Sequence, residues 1–204
     1  MSNDRYSMSF TTGSLFHSES VKLATLYVDL GNWDSVRDKV IEENLLQART
    51  LNTLKRVCRE VVSRLKMLSS GEIEFLVACN HQEEAYLLWL AVCRRYSFIA
   101  DFAVEVLRER YVTLKIDLTY EDFDSFFNCK SEWHLELDEI ASATRSKLRQ
   151  VLFKMLRETD LLTANNMINA AMLSPRLLAL IQQSNGRDVL YFPVFESDLK
   201  GMRQ

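Results

Sequence analysis

Apolar residues recur at helical spacing along the first third of the chain, and each run is closed by a residue suited to starting or leaving a helix. The segment "VKLATLYVDL" follows Ser18 and Ser20, either placed to cap it, and stops at Gly31, whose missing Cβ tolerates the left-handed backbone common after helices. A second helix is predicted from Asn32 or Asp34 through "SVRDKVIEE" to Asn44. A third follows the approach "LLQAR", with Thr50 as its cap. Three short helices joined by tight connections have the outline of a helix-turn-helix. On the third helix Leu51, Leu54, Val57, Cys58, Val61, Leu65 and Leu68 fall on one side, the spacing of a core-facing stripe. Asn52, Arg56, Arg59 and Ser63 fall on the opposite side, with Lys55 and Lys66 at its edge and Arg49 just upstream.

The middle of the chain is more apolar. "AYLLWLAVC", residues 85–93, is cut short by Arg94 and Arg95 and resumes with Asp101 and Glu105 inside it. A bilayer-spanning helix needs about 20 apolar residues, so this run predicts a buried central helix and no membrane partner. Beyond it, Thr119 and Asp122 form a capping box ahead of an aromatic face of Phe123, Phe126, Phe127 and Trp133.

The segment "SATRSKLRQVLFKMLRETDLL", residues 142–162, predicts a long helix capped by Ser142 or Thr144. Its apolar stripe is Leu148, Val151, Leu152, Met155 and Leu156, while Ser146, Lys147, Gln150, Lys154 and Arg157 face outward and Phe153 lies toward the outer side. "NMINAAMLSPRLLALIQQ" and "DVLYFPVF" read as short strands around a helix at "PRLLALIQQ", with Asn185-Gly186 as a turn. That order is the order of a winged helix. The fold expected is mainly α: a helical bundle with an N-terminal helix-turn-helix-like unit (1–68), a central packing region (69–116) and a C-terminal winged-helix-like unit (117–204) with a small β element.

Composition supports this class, because 48% of the 204 residues are hydrophobic while only 5 are Gly and 2 are Pro. Charge makes the picture uneven. The formal net charge is −3, yet residues 45–68 hold six basic side chains against one acid, Glu60. Residues 142–157 hold Arg145, Lys147, Arg149, Lys154 and Arg157 with no acid, whereas residues 117–140 hold eight acids against Lys130 alone. The two basic helices also align: Thr50 on Thr144 puts Leu54 on Leu148, Lys55 on Arg149 and Val57 on Val151.

A basic helix placed third in a helix-turn-helix pattern and carrying Asn and Ser beside Arg suits duplex DNA. Arg reads guanine, Asn reads adenine, and Lys and Ser hold phosphates. The candidate DNA-binding residues are Arg49, Asn52, Lys55, Arg56, Arg59, Ser63 and Lys66 on the first basic helix, and Arg145, Ser146, Lys147, Gln150 and Lys154 on the second. The competing reading is a solvated face partly neutralised by pairing, for instance Arg56 with Glu60 four residues on. Single-stranded RNA is a weaker competitor, because the aromatics sit mostly at core spacing.

Chemistry finds little support. The 4 Cys are scattered without a CxxC pair and no apolar signal follows "MSNDRYSMSF", which predicts reduced thiols in a cytoplasmic protein. No Walker loop, GxGxxG or nucleophile elbow occurs. Cys79-Asn80-His81 and Cys129 with His134 lack zinc spacing, so no metal, cofactor, catalytic residue or small-molecule substrate is expected. "RDVLYFPVFESDLKG" loosely matches an acidic-x-Lys nuclease pattern through Asp188, Glu196, Asp198 and Lys200.

"RYSMSFTTGSLFHSESVKLA", "IEENLLQARTLNTLKRVCREV", "LWLAVCRRYSFIADFAVEVLRER" and "LSPRLLALI" followed by "YFPVF" together resemble the BrxA family, a small component of bacterial BREX phage-exclusion systems. The similarity runs over nearly the whole chain. It implies a non-enzymatic DNA-binding part of a defence system whose other proteins are its partners. Likeness of that family to the helical antitermination protein NusB implies RNA binding as an alternative, and a protein–protein scaffold is the main rival. No catalytic residues carry over.

Overall fold

A computed structural model describes residues 5–195, and the chain divides into two compact units. One is contiguous, Leu15–Arg95. The other joins residues 5–14 to the chain from Tyr96 onward. These limits differ from the sequence-based boundaries at 68 and 116, because the apolar run at 85–93 packs with the first helices. The protein is mainly helical.

The contiguous unit holds α1 (His17–Leu30), α2 (Trp33–Glu42), α3 (Leu51–Leu65), α4 (Ser70–Ala78) and α5 (His81–Arg95). The capping chemistry expected at three places is present. Gly31 takes φ +66 and returns its N–H to Tyr27, the Asn32 side chain accepts from the N–H groups of Asp34 and Ser35, and the Thr50 hydroxyl accepts from Thr53. At the start of α1, however, neither Ser18 nor Ser20 caps the helix. The N-cap is Phe16, in the left-handed region at φ 56, and Ser20 is buried. α1 packs on α2, α3, α4 and α5, and α5 also packs on α3 and α4. Every side chain of α5 from Ala85 to Cys93 is buried, as a core helix requires.

Inside this unit sits a fully buried acid. Glu72, at 0% exposure, receives both Nη groups of Arg94, at 2.7 and 2.8 Å. The same carboxylate accepts the N–H of Ser69 at 2.7 Å while the Ser69 hydroxyl accepts the N–H of Glu72, a reciprocal cap on α4. Arg94 also donates to the carbonyl of Met67 at 3.0 Å, just beyond α3.

The second unit begins its helices with α6 (Ser97–Phe102), which continues through one π-helical turn (Ala103–Arg108) into α7 (Glu109–Val112). α8 (Tyr120–Ser131), α9 (Leu135–Asp138), α10 (Ser142–Glu158) and α11 (Pro175–Asn185) follow. Thr119 and Asp122 form the expected capping box on α8. Phe123, Phe126 and Phe127 of the expected aromatic face build the core, with Phe98 and Phe102 in edge-on contact with Phe126 at 5.2 and 5.4 Å, whereas Trp133 is exposed. Residues 5–14 close over this cluster: Phe10 lies 5.4 Å from Tyr96, and Tyr6 stacks on His134 at 3.9 Å. The Tyr6 hydroxyl donates to Asp101 at 2.5 Å, and burial, reinforced by that carboxylate, pushes the phenol well above its usual range.

The strands expected around α11 do not form. Among the described residues β pairing is limited to two isolated antiparallel bridges, Asp117 with Met167 and Leu162 with Ile168. "DVLYFPVF" instead runs through a 3-10 segment (Gly186–Tyr191), started by the Asn185 side chain accepting from the Arg187 N–H, with Val189, Phe192 and Val194 buried. The Ala171 N–H does reach the Pro193 carbonyl at 3.1 Å, but that bond continues into no ladder, and the apolar residues of the segment are buried from a turn instead. α10 likewise starts without its expected side-chain cap, since Ala141 occupies that position.

Removing one partner of a buried ion pair leaves the other uncompensated, at a cost of about 3–5 kcal/mol. Glu72→Ala is therefore expected to lower unfolding stability by that order in urea denaturation followed by circular dichroism. A loss below about 1 kcal/mol would show that Arg94 finds water or another acceptor.

Candidate nucleic-acid interface

The connection into α3 is pinned by Asn44, which leaves α2 at φ 45. Its side chain accepts the Ala48 N–H at 3.0 Å and donates to the Ala48 carbonyl at 3.2 Å. From Thr50 the helix presents Leu54, Cys58, Val61, Val62 and Leu65 to the core. Burial pushes the Cys58 thiol up, although Arg37 pulls the other way, so it stays a protonated core side chain. Leu51, assigned to the core side by its spacing, is 54% exposed and borders the basic surface.

On the opposite face Arg49, Asn52, Lys55, Arg56, Arg59 and Lys66 are all exposed. Ser63 is half-buried, and its hydroxyl donates to the Glu60 carbonyl at 2.8 Å. The single acid of the segment does not neutralise that face. Glu60 turns to Arg64, 2.8 Å away, which is only 3% exposed and stands over the Phe16 ring at 5.3 Å. The pairing of Arg56 with Glu60 considered from spacing does not occur. Arg49, Lys55, Arg56, Arg59 and Lys66 make no ion pair or side-chain hydrogen bond with any described residue. Five uncompensated cations thus share one solvent-facing side.

α10 is different. Arg145 donates through Nε to the Asp124 carboxylate at 3.0 Å, through one Nη to the Asp124 carbonyl at 2.8 Å and through the other to Asn128 at 2.7 Å, and lies 4.3 Å from the Phe127 ring centre. Arg149 pairs with the second oxygen of Asp124 and covers the Tyr120 ring at 4.6 Å. Arg157 donates to Asn166 at 2.6 Å, and Lys154 lies 3.6 Å from Glu158. Ser146 is half-buried, while Lys147 and Gln150 are exposed. Arg145, expected to be free for a partner, is used to hold α10 on α8. Lys147 is the one α10 cation without an anionic or hydrogen-bonding partner among the described residues. Phe153 is fully buried edge-on to Tyr120 at 4.8 Å, which removes it as a base-stacking platform.

Of the acidic-x-Lys pattern, Asp188 is buried and accepts from Asn185 at 2.7 Å. Glu196, Asp198 and Lys200 lie outside the described residues. One grouping escaped the sequence altogether: His17, His81 and Glu84, brought together by the starts of α1 and α5. Only the tertiary fold carries that signal, since the two histidines are 64 positions apart.

The BrxA family profile matches residues 4–185. Relatives named BREX protein BrxA include one from Escherichia coli O9:H4 (strain HS), 24% identical over 180 residues, covering 87% of this chain and 84% of the relative. Another, from Bacillus cereus (strain H3081.97), is 27% identical over 127 residues, 62% of this chain and 64% of its own. A third, from Paramagnetospirillum magneticum (strain ATCC 700264 / AMB-1), is 22% identical over 193 residues, 93% of this chain and 96% of its own. The crystal structure of an uncharacterized protein from Magnetospirillum magneticum superposes with a TM-score of 0.79 at 19% identity, covering 92% of this chain and 97% of that one. It shares the fold.

The contrast between the two basic helices is measurable. Asp124→Asn is expected to destabilise by about 1–2 kcal/mol, because two arginines lose their charged acceptor in a partly buried site. Arg59→Ala should stay within about 0.5 kcal/mol of the parent chain. Equal, small effects in urea denaturation would show that the α10 arginines are merely solvated.

Proposed function

The chain belongs to the BrxA family, and from that premise we propose that it is a non-enzymatic, double-stranded-DNA-binding component of a BREX phage-defence system that grips DNA through the outer face of α3. The observation that carries this reading is the set of five cations on that face left without a carboxylate. A solvated helix for solubility alone has no need to send its one acid inward.

In this reading α1, α2 and α3 act as a helix-turn-helix-like unit, with α3 entering the major groove. Arg56 and Arg59 present bidentate donors suited to guanine, Asn52 suits adenine, and Arg49, Lys55 and Lys66 reach phosphates on either side. Exposed Leu51, beside them, offers an apolar contact for a thymine methyl. On α10 only Lys147 and Gln150 remain to add contacts, so that helix serves as a minor contributor. The net charge of −3 weakens long-range attraction, which makes affinity moderate and dependent on the local face. Other BREX proteins are its proposed protein partners, acting in the cytoplasm. No helix among the described residues is long and apolar enough to cross a membrane.

A scaffold role is the second reading. It is favoured by Trp133 and Leu135, each 77% exposed, which offer an apolar foothold to another protein. NusB-like RNA binding has less support, because Phe153, the one aromatic residue of the basic helix α10, is buried.

The test is a binding titration of duplex DNA at two salt concentrations. Neutralising three to five phosphates gives a slope of log affinity on log salt of roughly −3 to −4.5. Reversing Arg56 and Arg59 to Glu is expected to abolish retention with helicity and melting temperature unchanged. Equal retention by that variant and the parent chain removes DNA from α3, and absence of a shift even at low salt favours the scaffold.

A further inference from the structure

The first residue of α1 and the first residue of α5 are both histidines, and the fold sets their rings 4.1 Å apart at an interplanar angle of 40°. Glu84, three positions into α5 from His81 and therefore on the same face, completes the group. Its Oε2 lies 3.3 Å from Nε2 of His17 and 3.6 Å from Nδ1 of His81. One donor atom from each of the three residues falls within 4.8 Å of the others.

These separations distinguish two explanations. A hydrogen bond between imidazole and carboxylate has a donor–acceptor distance of about 2.7–3.2 Å, and both observed distances are longer. Around a tetrahedral zinc ion, bonds of about 2.0–2.2 Å to nitrogen and oxygen put neighbouring ligand atoms about 3.3–3.5 Å apart. The two carboxylate–imidazole separations match a coordination shell, and the two ring nitrogens lie within 4.8 Å of each other, close enough to share one ion after a small side-chain adjustment.

The frame holding the donors is fixed locally. Asn80 caps α5, its Oδ1 accepting the N–H groups of Gln82 at 3.0 Å and Glu83 at 3.1 Å, which sets the turn carrying His81 and Glu84. On the other side Phe16, held in the left-handed region, turns the chain directly into His17, with Leu15 buried before it. A non-glycine residue at such a φ persists only where its surroundings over-determine it. His17 and Glu84 are mostly buried at 23% and 16% side-chain exposure, while His81 at 82% leaves one side open to solvent.

We propose that His17, His81 and Glu84 form a binding site for a first-row transition-metal dication of the zinc class, with a water molecule in the fourth position. Two imidazoles and one carboxylate select such an ion over magnesium or calcium, which prefer all-oxygen shells. The partial positive charge at the starts of α1 and α5 opposes a cation, and the Glu84 carboxylate offsets it. Loading ties residue 17 to residues 81–84 and so closes the contiguous unit on itself. The inference is independent of DNA binding, since none of the three residues belongs to the α3 face.

The experiment is metal titration of the full chain after chelator treatment, read by stoichiometry and thermal melting, with Zn²⁺ as the probe and Mg²⁺ as the control. One Zn²⁺ per chain is expected, with a rise of about 3–6 °C at a ten-fold excess over the dissociation constant and no response to Mg²⁺. His81→Ala, at an exposed position, and the near-isosteric Glu84→Gln should keep the circular dichroism spectrum of the parent chain and lose the rise, with affinity lower by at least about ten-fold. Co²⁺ should give the absorption of a nitrogen–oxygen site without thiolate charge-transfer bands. Failure of Zn²⁺ to raise the melting temperature overturns the proposal. So does an equal rise in both variants, or thiolate bands with Co²⁺, which would move the ion to cysteines.

Discussion

A carboxylate sealed from water must have its charge and both oxygens satisfied by the protein, and Glu72 meets that constraint by drawing three segments to one point. Arg94 brings the end of α5, Ser69 brings the start of α4, and the Met67 carbonyl held by the same guanidinium brings the chain leaving α3. The apolar stripe of α3 then has one place to go. Its outward face is defined by what remains.

Carboxylate placement also decides which cations are available. Three acids of the stretch at 117–140 are consumed within its own unit: Asp117 and Asp122 pair with Arg110, and Asp124 takes Arg145 and Arg149. α10 is therefore rich in positive residues yet mostly neutralised. On α3 the only acid serves the buried Arg64, and the solvent side stays cationic. Equal local charge in the sequence becomes unequal charge on the surface.

The sequence was most legible where a signal is local. Gly31, Asn32, Thr50 and the Thr119–Asp122 box act over one helical turn, and each stands where expected. The core side of α3 was legible as well, apart from Leu51, which is exposed at the first turn, and Val57, which is half-buried. Ser18, Ser20 and Ser142 were misjudged as caps because the same residue types are tolerated inside a first turn. The strands were misjudged because a β-rich run becomes a strand only where a ladder of backbone bonds continues beside it, and Met167, Ile168 and Ala171 make isolated pairings only. Among the candidate site residues, the α3 set could be placed by periodicity alone. The fate of Arg145 could not, since Asp124 lies 21 positions away and meets it only after α8 and α10 pack.

The order of the two units along the chain has a consequence for synthesis. Leu15–Arg95 is uninterrupted, so it holds everything its own core needs once Arg95 has left the ribosome. Tyr6 and Phe10 are made first, but their partners Asp101, Tyr96 and Phe98 come after the whole inserted unit. An early collapse of the inserted segment shortens the effective loop that separates those aromatic residues from their partners and lowers the entropy lost when they meet. Residues 5–14 thus wait for the whole inserted unit before they find their seat, and the helical insert acts as the splint that brings them there.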